Sequence, residues 1–306
     1  MLTESHHSLI YALYFAPRGK QRLLTLGMEL AQRYLSPMDR LVGFIGDAGA
    51  GKSLLIKGMF PGLELTNDDD GVNVRPLPLL SVTDDSFFSA HTFHVDIRFE
   101  QAFTQPHVLA TAIRAAVDKG KRVVVEHFDL IYPFLGLNAE ILIGIGEEVV
   151  VTRPNVFGPR PRDIAEVVFS SIRFRKMVHT AEDLTALVIE REYGHRHPIA
   201  HGDVRRGFVL LFTDPPEIDI AKIETLVQRY IADGTEISFA DDNHIRIGGE
   251  ERFHCTGPRI HVHNAAEIEN FRLLPELLYD PIARTWSLVG KVGDENPDGY
   301  EEAIRL

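Results

Sequence analysis

One glycine-rich stretch, residues 46–53 with the sequence GDAGAGKS, combines the residue types that hold a phosphate group. It fits the pattern G-x-x-x-x-G-K-[ST] at every required position. The glycines allow successive backbone N–H groups to point inward at phosphate oxygens, and the helix N-terminus that follows adds a partial positive charge. Lys52 would reach the β- and γ-phosphates, and the Ser53 hydroxyl would complete the coordination shell of Mg²⁺.

We therefore predict that this stretch is a P-loop that binds ATP or GTP together with Mg²⁺. The alternative is an ordinary glycine-rich turn between a strand and a helix. The residues predicted to contact the nucleotide are Gly46, Asp47, Ala48, Gly49, Ala50, Gly51, Lys52, Ser53 and Leu54.

The segments on either side of this loop have the patterns of a buried strand and a helix. Residues 41–45 are short, apolar and bounded by charge, and residues 54–59 continue with helical spacing. Leucines recur at helical spacing in residues 22–35, and Ser36-Pro37 ends that predicted helix. The loop is therefore expected between a strand and a helix, with a further helix packed on the sheet.

Two more predicted strands end in a carboxylate. Residues 92–98 alternate as a strand that contains Asp96, residues 105–119 form a helix, and residues 122–126 form a buried strand ending in Glu126. This β-α-β order predicts a parallel sheet. An acid after an apolar strand is the form of a Walker B element, which orders the Mg²⁺ shell. Asp96 and Glu126 both qualify, and the alternative is that each acid only caps the next helix.

An acidic loop after residues 63–66, which we predict as a short strand, offers a catalytic base. In a parallel sheet that strand's carboxyl end would open beside the phosphates. Asp69 could accept a proton from the hydroxyl of a phosphoryl acceptor, and the alternative is a solvated Asx turn. We expect Lys52, Asp69 and Glu126 to be catalytic and Ser53 and Asp96 to hold Mg²⁺. The polar residues 81–90 are a candidate lid.

The length of 306 residues favours two domains. Residues 139–145 and 148–152 are predicted to form a hairpin, and residues 153–162 contain three prolines and a glycine. We place the domain boundary there. The prediction is an α/β P-loop domain with a parallel sheet over residues 1–162, followed by a second domain over residues 163–306 with an acidic tail.

The composition is that of an ordinary globular protein, with 44% apolar and 25% charged residues. No apolar run approaches the roughly 20 residues that span a bilayer, and no signal-peptide pattern is present. We expect a cytoplasmic protein without a membrane partner. The single cysteine, Cys255, has no internal disulfide partner. A net charge of -12 argues against non-specific nucleic-acid binding over the whole surface.

The second half contains residue types that could bind a metal ion. His179 and Asp183 are four residues apart in a predicted helix, which places both on one face. Cys255 lies close in sequence to three histidines, one of which is His261. A thiolate, two imidazoles and a carboxylate would make a tetrahedral zinc set. The alternative is a pair of helix-surface residues and a small buried cysteine.

Residues 172–274 resemble the second additional domain of alanyl- and threonyl-tRNA synthetases and of free-standing alanyl-tRNA editing proteins. The stretch HTAEDL from His179 is similar to that family's His-Thr-Ala-x-His-Leu, and the stretch from Cys255 is similar to its Cys-Gly-Gly-Thr-His-Val. In two departures, Asp183 replaces a histidine, and two extra residues separate Cys255 from His261. The resemblance implies an α+β fold, Zn²⁺ bound by His179, Asp183, Cys255 and His261, and hydrolysis of a wrongly attached amino acid at a tRNA acceptor end.

The first half resembles P-loop kinases and small ATPases more loosely. Residues 46–52 and 127–130 are similar to the ATPase of the bacterial tRNA threonylcarbamoyladenosine pathway, and residues 119–126 are similar to uridine-kinase relatives. The resemblance implies phosphoryl transfer to an unidentified small-molecule acceptor, or simple NTP hydrolysis. Two rival hypotheses are an aminoacyl-tRNA hydrolase regulated by nucleotide and a non-catalytic sensor of an amino acid or a tRNA end.

Overall fold

The computed structural model describes residues 11–66, 77–81, 91–194, 198, 200–249 and 251–293. The chain divides into two compact units, Met1–Ile172 and Arg173–Leu306. The division falls inside one long helix, Pro161–Tyr193, and not at residue 162. The proline-rich stretch instead opens this helix, since a proline at the first helical position needs no N–H partner.

Unit 1 is built on one six-stranded sheet with helices on both faces. Its strands are β1 (Tyr11–Phe15), β2 (Leu41–Gly46), β3 (Thr92–Asp96), β4 (Arg122–Glu126), β5 (Ile141–Ile145) and β6 (Glu148–Thr152). Its helices are α1 (Lys20–Tyr34), α2 (Lys52–Met59), α3 (Ile97–Glu100), α4 (Pro106–Asp118) and α5 (Phe128–Leu135), followed by the long helix α6 (Pro161–Tyr193).

The sheet order is β1-β6-β5-β2-β4-β3. Strands β5, β2, β4 and β3 are parallel, as predicted, whereas β6 pairs antiparallel with both β5 and β1, so the sheet is mixed. The reversal follows from the short β5-β6 connection, because a hairpin can only join antiparallel strands. The parallel strands bury both faces, as their continuous apolar sequences indicate. Their carboxyl ends bring Gly46, Asp96 and Glu126 to one edge of the sheet.

Two local predictions are wrong. Residues 63–66 form no strand, because Thr66 N–H donates to His94 Nδ1 at 3.0 Å and is therefore not available to a sheet ladder. Strand β3 ends at Asp96 and not at residue 98, because the Asp96 carboxylate accepts a hydrogen bond from Phe99 N–H and starts α3. Asp69 and residues 82–90 of the predicted lid lie outside the described residues.

Alternate residues of the central strands enter two apolar clusters, one on each face of the sheet. Leu41 and Ile45 of β2 pack with α4 and α5, whereas Val42 and Phe44 pack with α1 and α2. This alternation follows from the two-residue period of a strand. The glycine-rich loop is thereby carried by a strand that is anchored on both faces.

Unit 2 combines helices with antiparallel sheets. Its helices are the second part of α6 and α7 (Ile220–Ala232). Its strands are β7 (Ala200–Val204), β8 (Gly207–Phe212), β9 (Ile237–Asp241), β10 (His244–Ile247), β11 (Glu251–His254), β12 (Arg272–Leu273), β13 (Leu278–Asp280) and β14 (Thr285–Lys291). Strands β12, β14, β8 and β7 form one sheet with β13 paired to β14, and β11, β10 and β9 form another.

One apolar cluster holds unit 2 together and includes Leu184 and Val188 of α6, Phe208 of β8 and Leu288 of β14. Cys255 belongs to this cluster. Within the described ranges, neither unit contains a helix long and apolar enough to cross a membrane.

Candidate functional site

The glycine-rich loop connects β2 directly to the first turn of α2. Gly51 precedes the helix with φ of 101°, and a Cβ built there would lie 2.7 Å from a Leu23 methyl group. Only glycine fits this conformation and this space. Gly51 provides no side-chain cap for α2, so the helix depends on other acceptors for its first N–H groups. A hydrogen bond of 3.2 Å from Ala50 N–H to the Asp47 carbonyl closes the preceding turn.

Lys52 and Ser53, at the start of α2, both face the end of β4. The Ser53 hydroxyl donates to Glu126 Oε1 at 3.0 Å. Lys52 Nζ donates to the Asp47 carbonyl at 2.9 Å and lies 3.7 Å from Glu126 Oε2. The structure thus brings together Lys52, Ser53 and Glu126, residues that the sequence places up to 74 positions apart.

Glu126 is nearly fully buried and is held by a hydrogen-bond chain that the sequence analysis missed. Thr66 N–H donates to His94 Nδ1, so the ring proton lies on Nε2, which donates to Glu126 Oε1 at 3.2 Å. Burial alone would raise the pKa of Glu126, but its hydrogen bonds to His94 and Ser53 and the charge of the Lys52 ammonium lower it. Glu126 is therefore ionised at neutral pH. The available signal was spacing, because His94 lies two residues before Asp96 and shares its face of β3.

Asp96 and His127 complete the polar group at the ends of β3 and β4. One ligand atom from each of Asp96, Glu126 and His127 lies within 4.8 Å of the others, and all three residues are buried. Asp96 Oδ1 accepts from Phe99 N–H at 3.1 Å, so this acid caps α3. Burial, with the charge of Lys52, lowers the pKa of His127 to about 4. Glu126, and not Asp96, is the acid that contacts Ser53.

Unit 2 brings the four predicted zinc ligands together. Cys255 Sγ lies 3.4 Å from His179 Nε2 and 3.3 Å from His261 Nε2. Asp183 Oδ2 lies 3.9 Å from His179 Nε2 and 3.6 Å from His261 Nε2. A tetrahedral ion with bonds of about 2.0–2.3 Å separates its ligands by roughly 3.3–3.8 Å. These four distances therefore fit one Zn²⁺ ion with little rearrangement.

The local folding of unit 2 explains how the set forms although Cys255 and His261 are two residues further apart than in the family that the sequence resembles. His179 and Asp183 lie one turn apart on α6, and Cys255 follows β11 with its N–H bonded to the Asn243 carbonyl. A turn closed by a 3.0 Å bond from Ile260 N–H to the Gly257 carbonyl then folds the chain back. The two extra residues are accommodated in this turn, so His261 still reaches the cysteine.

The surroundings of the set orient its ligands. The Thr180 hydroxyl donates to the Lys176 carbonyl at 2.9 Å and accepts Val262 N–H at 3.1 Å. Because this hydroxyl already donates its proton, it can only accept a hydrogen bond from His261 Nδ1, which lies 3.2 Å away. The ring proton is therefore on Nδ1, and Nε2, which faces Cys255, is unprotonated. Such a bond on the far ring nitrogen is typical of metal-binding histidines. Gly257 N–H also donates to Cys255 Sγ at 3.3 Å.

The protonation states of the four side chains in the set depend on whether a cation is bound. Burial, and the negative charge of Asp183, raise the pKa of the Cys255 thiol above its usual range. Burial lowers the pKa of His261 to about 3. The thiol is therefore protonated and the imidazole neutral without a cation, and a bound divalent ion would deprotonate the thiol.

No protein-family model matches this chain, and no curated protein matches its sequence significantly. The function is therefore inferred from the residues and distances given above.

Proposed function

We propose that unit 1 is a P-loop domain that binds ATP or GTP with Mg²⁺ and transfers or hydrolyses the terminal phosphoryl group. The observation that carries this proposal is the 3.0 Å hydrogen bond between Ser53 and Glu126, with the Lys52 ammonium beside both. A magnesium triphosphate needs a lysine and a hydroxyl at a helix N-terminus and an ionised acid close to both.

Each group has a role in this proposal. The N–H groups of residues 46–54 would surround the phosphates, and Lys52 would exchange its bond to the Asp47 carbonyl for phosphate oxygens. Ser53 and Glu126 would hold Mg²⁺ from two sides, with Asp96 close by. Bound Mg²⁺ would neutralise charge on the β- and γ-phosphates.

The phosphoryl acceptor decides between a kinase-like phosphotransferase and a plain NTPase. We favour the phosphotransferase, because Asp69 in the acidic loop is a candidate base for an acceptor hydroxyl. That role stays a prediction from the sequence. An acceptor is identified by transfer of labelled γ-phosphate to a small molecule, and release of inorganic phosphate alone indicates the NTPase.

Isothermal titration with ATP–Mg²⁺ and GTP–Mg²⁺ tests the proposal. We expect Lys52→Ala to weaken binding by roughly 10–100-fold, because a charged hydrogen bond contributes about 1.5–3 kcal/mol. Lys57→Ala, at the other end of α2, is the matched control and should bind like the wild type. The proposal fails if neither nucleotide binds, or if the two variants behave alike.

We propose a second function for unit 2, hydrolysis of an aminoacyl ester at a tRNA acceptor end. The four-donor set supports metal binding, and the substrate class rests on the resemblance of residues 172–274 to tRNA-editing domains. His179, Asp183, Cys255 and His261 would hold Zn²⁺. Since four protein ligands fill a tetrahedral shell, the ion would polarise an ester carbonyl only as a fifth ligand or in place of one protein ligand. Elemental analysis should find zinc in the purified protein and none in Cys255→Ala. Deacylation of a mischarged tRNA should be lost in the same variant. If the protein binds an amino acid or tRNA without turnover, unit 2 is a sensor instead.

A further inference from the structure

His127 has a backbone conformation and a position that its role as a helix cap does not require. It directly follows Glu126 and precedes α5 with φ of 56°, in the left-handed region. A non-glycine residue is strained there, and such strain is concentrated at functional sites. No side-chain cap hydrogen bond from His127 to α5 is present. The conformation instead keeps a buried imidazole next to two carboxylates.

We propose that Asp96, Glu126 and His127 form a site for a divalent first-row transition-metal ion, for which Mn²⁺ is the probe. The proposal names the metal of the phosphoryl-transfer site and rests on the function proposed for unit 1. Mg²⁺ prefers oxygen ligands and retains several waters, whereas Mn²⁺ accepts both carboxylate and imidazole. The ligand atoms of the three residues lie within 4.8 Å of one another, which one ion can bridge.

The carboxylates are oriented by hydrogen bonds from neighbouring groups. Glu126 Oε1 accepts from both Ser53 and His94, and its other oxygen, Oε2, lies on the Lys52 side. Asp96 Oδ1 accepts from Phe99 N–H. Hydrogen-bonded carboxylates of this kind are usual around metal ions, because the bonds fix the direction of the ligand atoms.

One electrostatic feature bears on the assignment. The Lys52 ammonium lies 3.7 Å from Glu126 Oε2 and would repel a divalent ion. A triphosphate that draws Lys52 onto its oxygens removes this repulsion. The metal ion and the triphosphate should therefore strengthen each other's binding.

Mn²⁺ binding to the full-length protein tests the assignment, with and without a non-hydrolysable ATP analogue. Free Mn²⁺ is measured by electron paramagnetic resonance, and a directly bound imidazole is detected by pulsed measurement of the ¹⁴N coupling. His127→Asn is the test variant, because asparagine also tolerates the left-handed conformation. His107→Asn is the matched control, since it removes an exposed imidazole on α4 that belongs to neither donor set. The protein is first loaded with one equivalent of Zn²⁺, so that the histidines of unit 2 are occupied before Mn²⁺ is added.

We expect a ¹⁴N coupling in the wild type and in His107→Asn, and none in His127→Asn. His127→Asn should also weaken Mn²⁺ by at least about tenfold while changing Mg²⁺ by less than about threefold. A wild-type complex without ¹⁴N coupling overturns the proposal, as does a coupling that His127→Asn retains. Thermal unfolding without metal checks that the variant is folded, and His127→Gly provides a second variant free of backbone strain.

The same measurements separate this proposal from the function of unit 1. If the ATP analogue binds but Mn²⁺ shows no nitrogen coupling, the nucleotide function stands and the histidine ligand is refuted. If the coupling depends on His127 and no nucleotide binds, the metal site stands and the phosphoryl-transfer function is refuted.

Discussion

Replacing Glu126 with glutamine tests whether the buried polar network beside the glycine-rich loop is organised around this carboxylate. Glu126 and Lys52 are 3% and 4% exposed, and the ammonium lies 3.7 Å from Oε2. Glutamine can still accept from Ser53, but its NH₂ group would then face the ammonium, donor to donor. Breaking a buried ion pair at one partner costs about 3–5 kcal/mol, because the remaining charge stays desolvated. We therefore expect unit 1 to lose about 3 kcal/mol at neutral pH.

The two units can be followed separately. Hydrogen–deuterium exchange of β2 and β4 amides reports on unit 1, and we expect it to accelerate by roughly 100-fold in Glu126→Gln. Trp286 is the one tryptophan in the chain and lies in β14, so its fluorescence during urea unfolding reports on unit 2. The fluorescence midpoint should be the same in the variant and the wild type.

The pH dependence gives the prediction a definite sign. Burial opposes ionisation of Glu126, but its hydrogen bonds to His94 and Ser53 and the charge of Lys52 outweigh burial and lower its folded pKa. A carboxylate with a lowered folded pKa contributes stability above its unfolded pKa and loses it as the pH falls through the folded pKa. The difference between wild type and Glu126→Gln should therefore be largest at neutral pH and shrink in acid. Equal exchange at pH 7, or a difference that grows at low pH, would refute the reasoning.

Three further predictions concern other parts of the two sites. Gly51→Ala should destabilise unit 1 by more than Gly62→Ala, because both have positive φ but only Gly51 also meets a leucine methyl group at 2.7 Å; equal unfolding midpoints would contradict this. Burial raises the pKa of Asp129, and a carboxylate with a raised folded pKa loses stability as the pH rises. Asp129→Asn should thus stabilise unit 1 at neutral pH and not in strong acid, and a lower midpoint at pH 7 would exclude the explanation. Thr180→Val removes the hydrogen-bond acceptor of His261 Nδ1. Zinc affinity, measured by competition with a coloured chelator, should fall about 10–100-fold, and an unchanged affinity would disprove the orienting role.

The parts of the fold that depend on local patterns could be predicted from the sequence. Strand β2, the loop and helix α2 follow from a contiguous motif, and the parallel pairing of β3 and β4 follows from a β-α-β order. The edge strand β1 was missed, although Tyr11, Leu13 and Phe15 are exposed in alternation with half-buried neighbours. This two-residue period is the signal of an amphipathic strand.

Side-chain contacts between distant segments could not be predicted in the same way. The choice between Asp96 and Glu126 depended on which carboxylate meets Ser53, and both follow apolar strands of similar sequence. The bond from Thr66 N–H to His94 is likewise invisible to periodicity, so residues 63–66 were assigned to a strand. The ligand set of unit 2 was implied by a resemblance, and only the turn before His261 shows how the longer spacing is accommodated.

We expect the amides around Lys52 to form an anion site at the N-terminus of α2. A crystal structure with a non-hydrolysable triphosphate and Mg²⁺ tests it most directly. We predict phosphate oxygens within hydrogen-bond distance of the N–H groups of residues 49–53, with Lys52 Nζ moved from the Asp47 carbonyl to the phosphates. A triphosphate bound elsewhere, or a loop whose N–H groups face away from it while Lys52 stays on Asp47, would contradict the account.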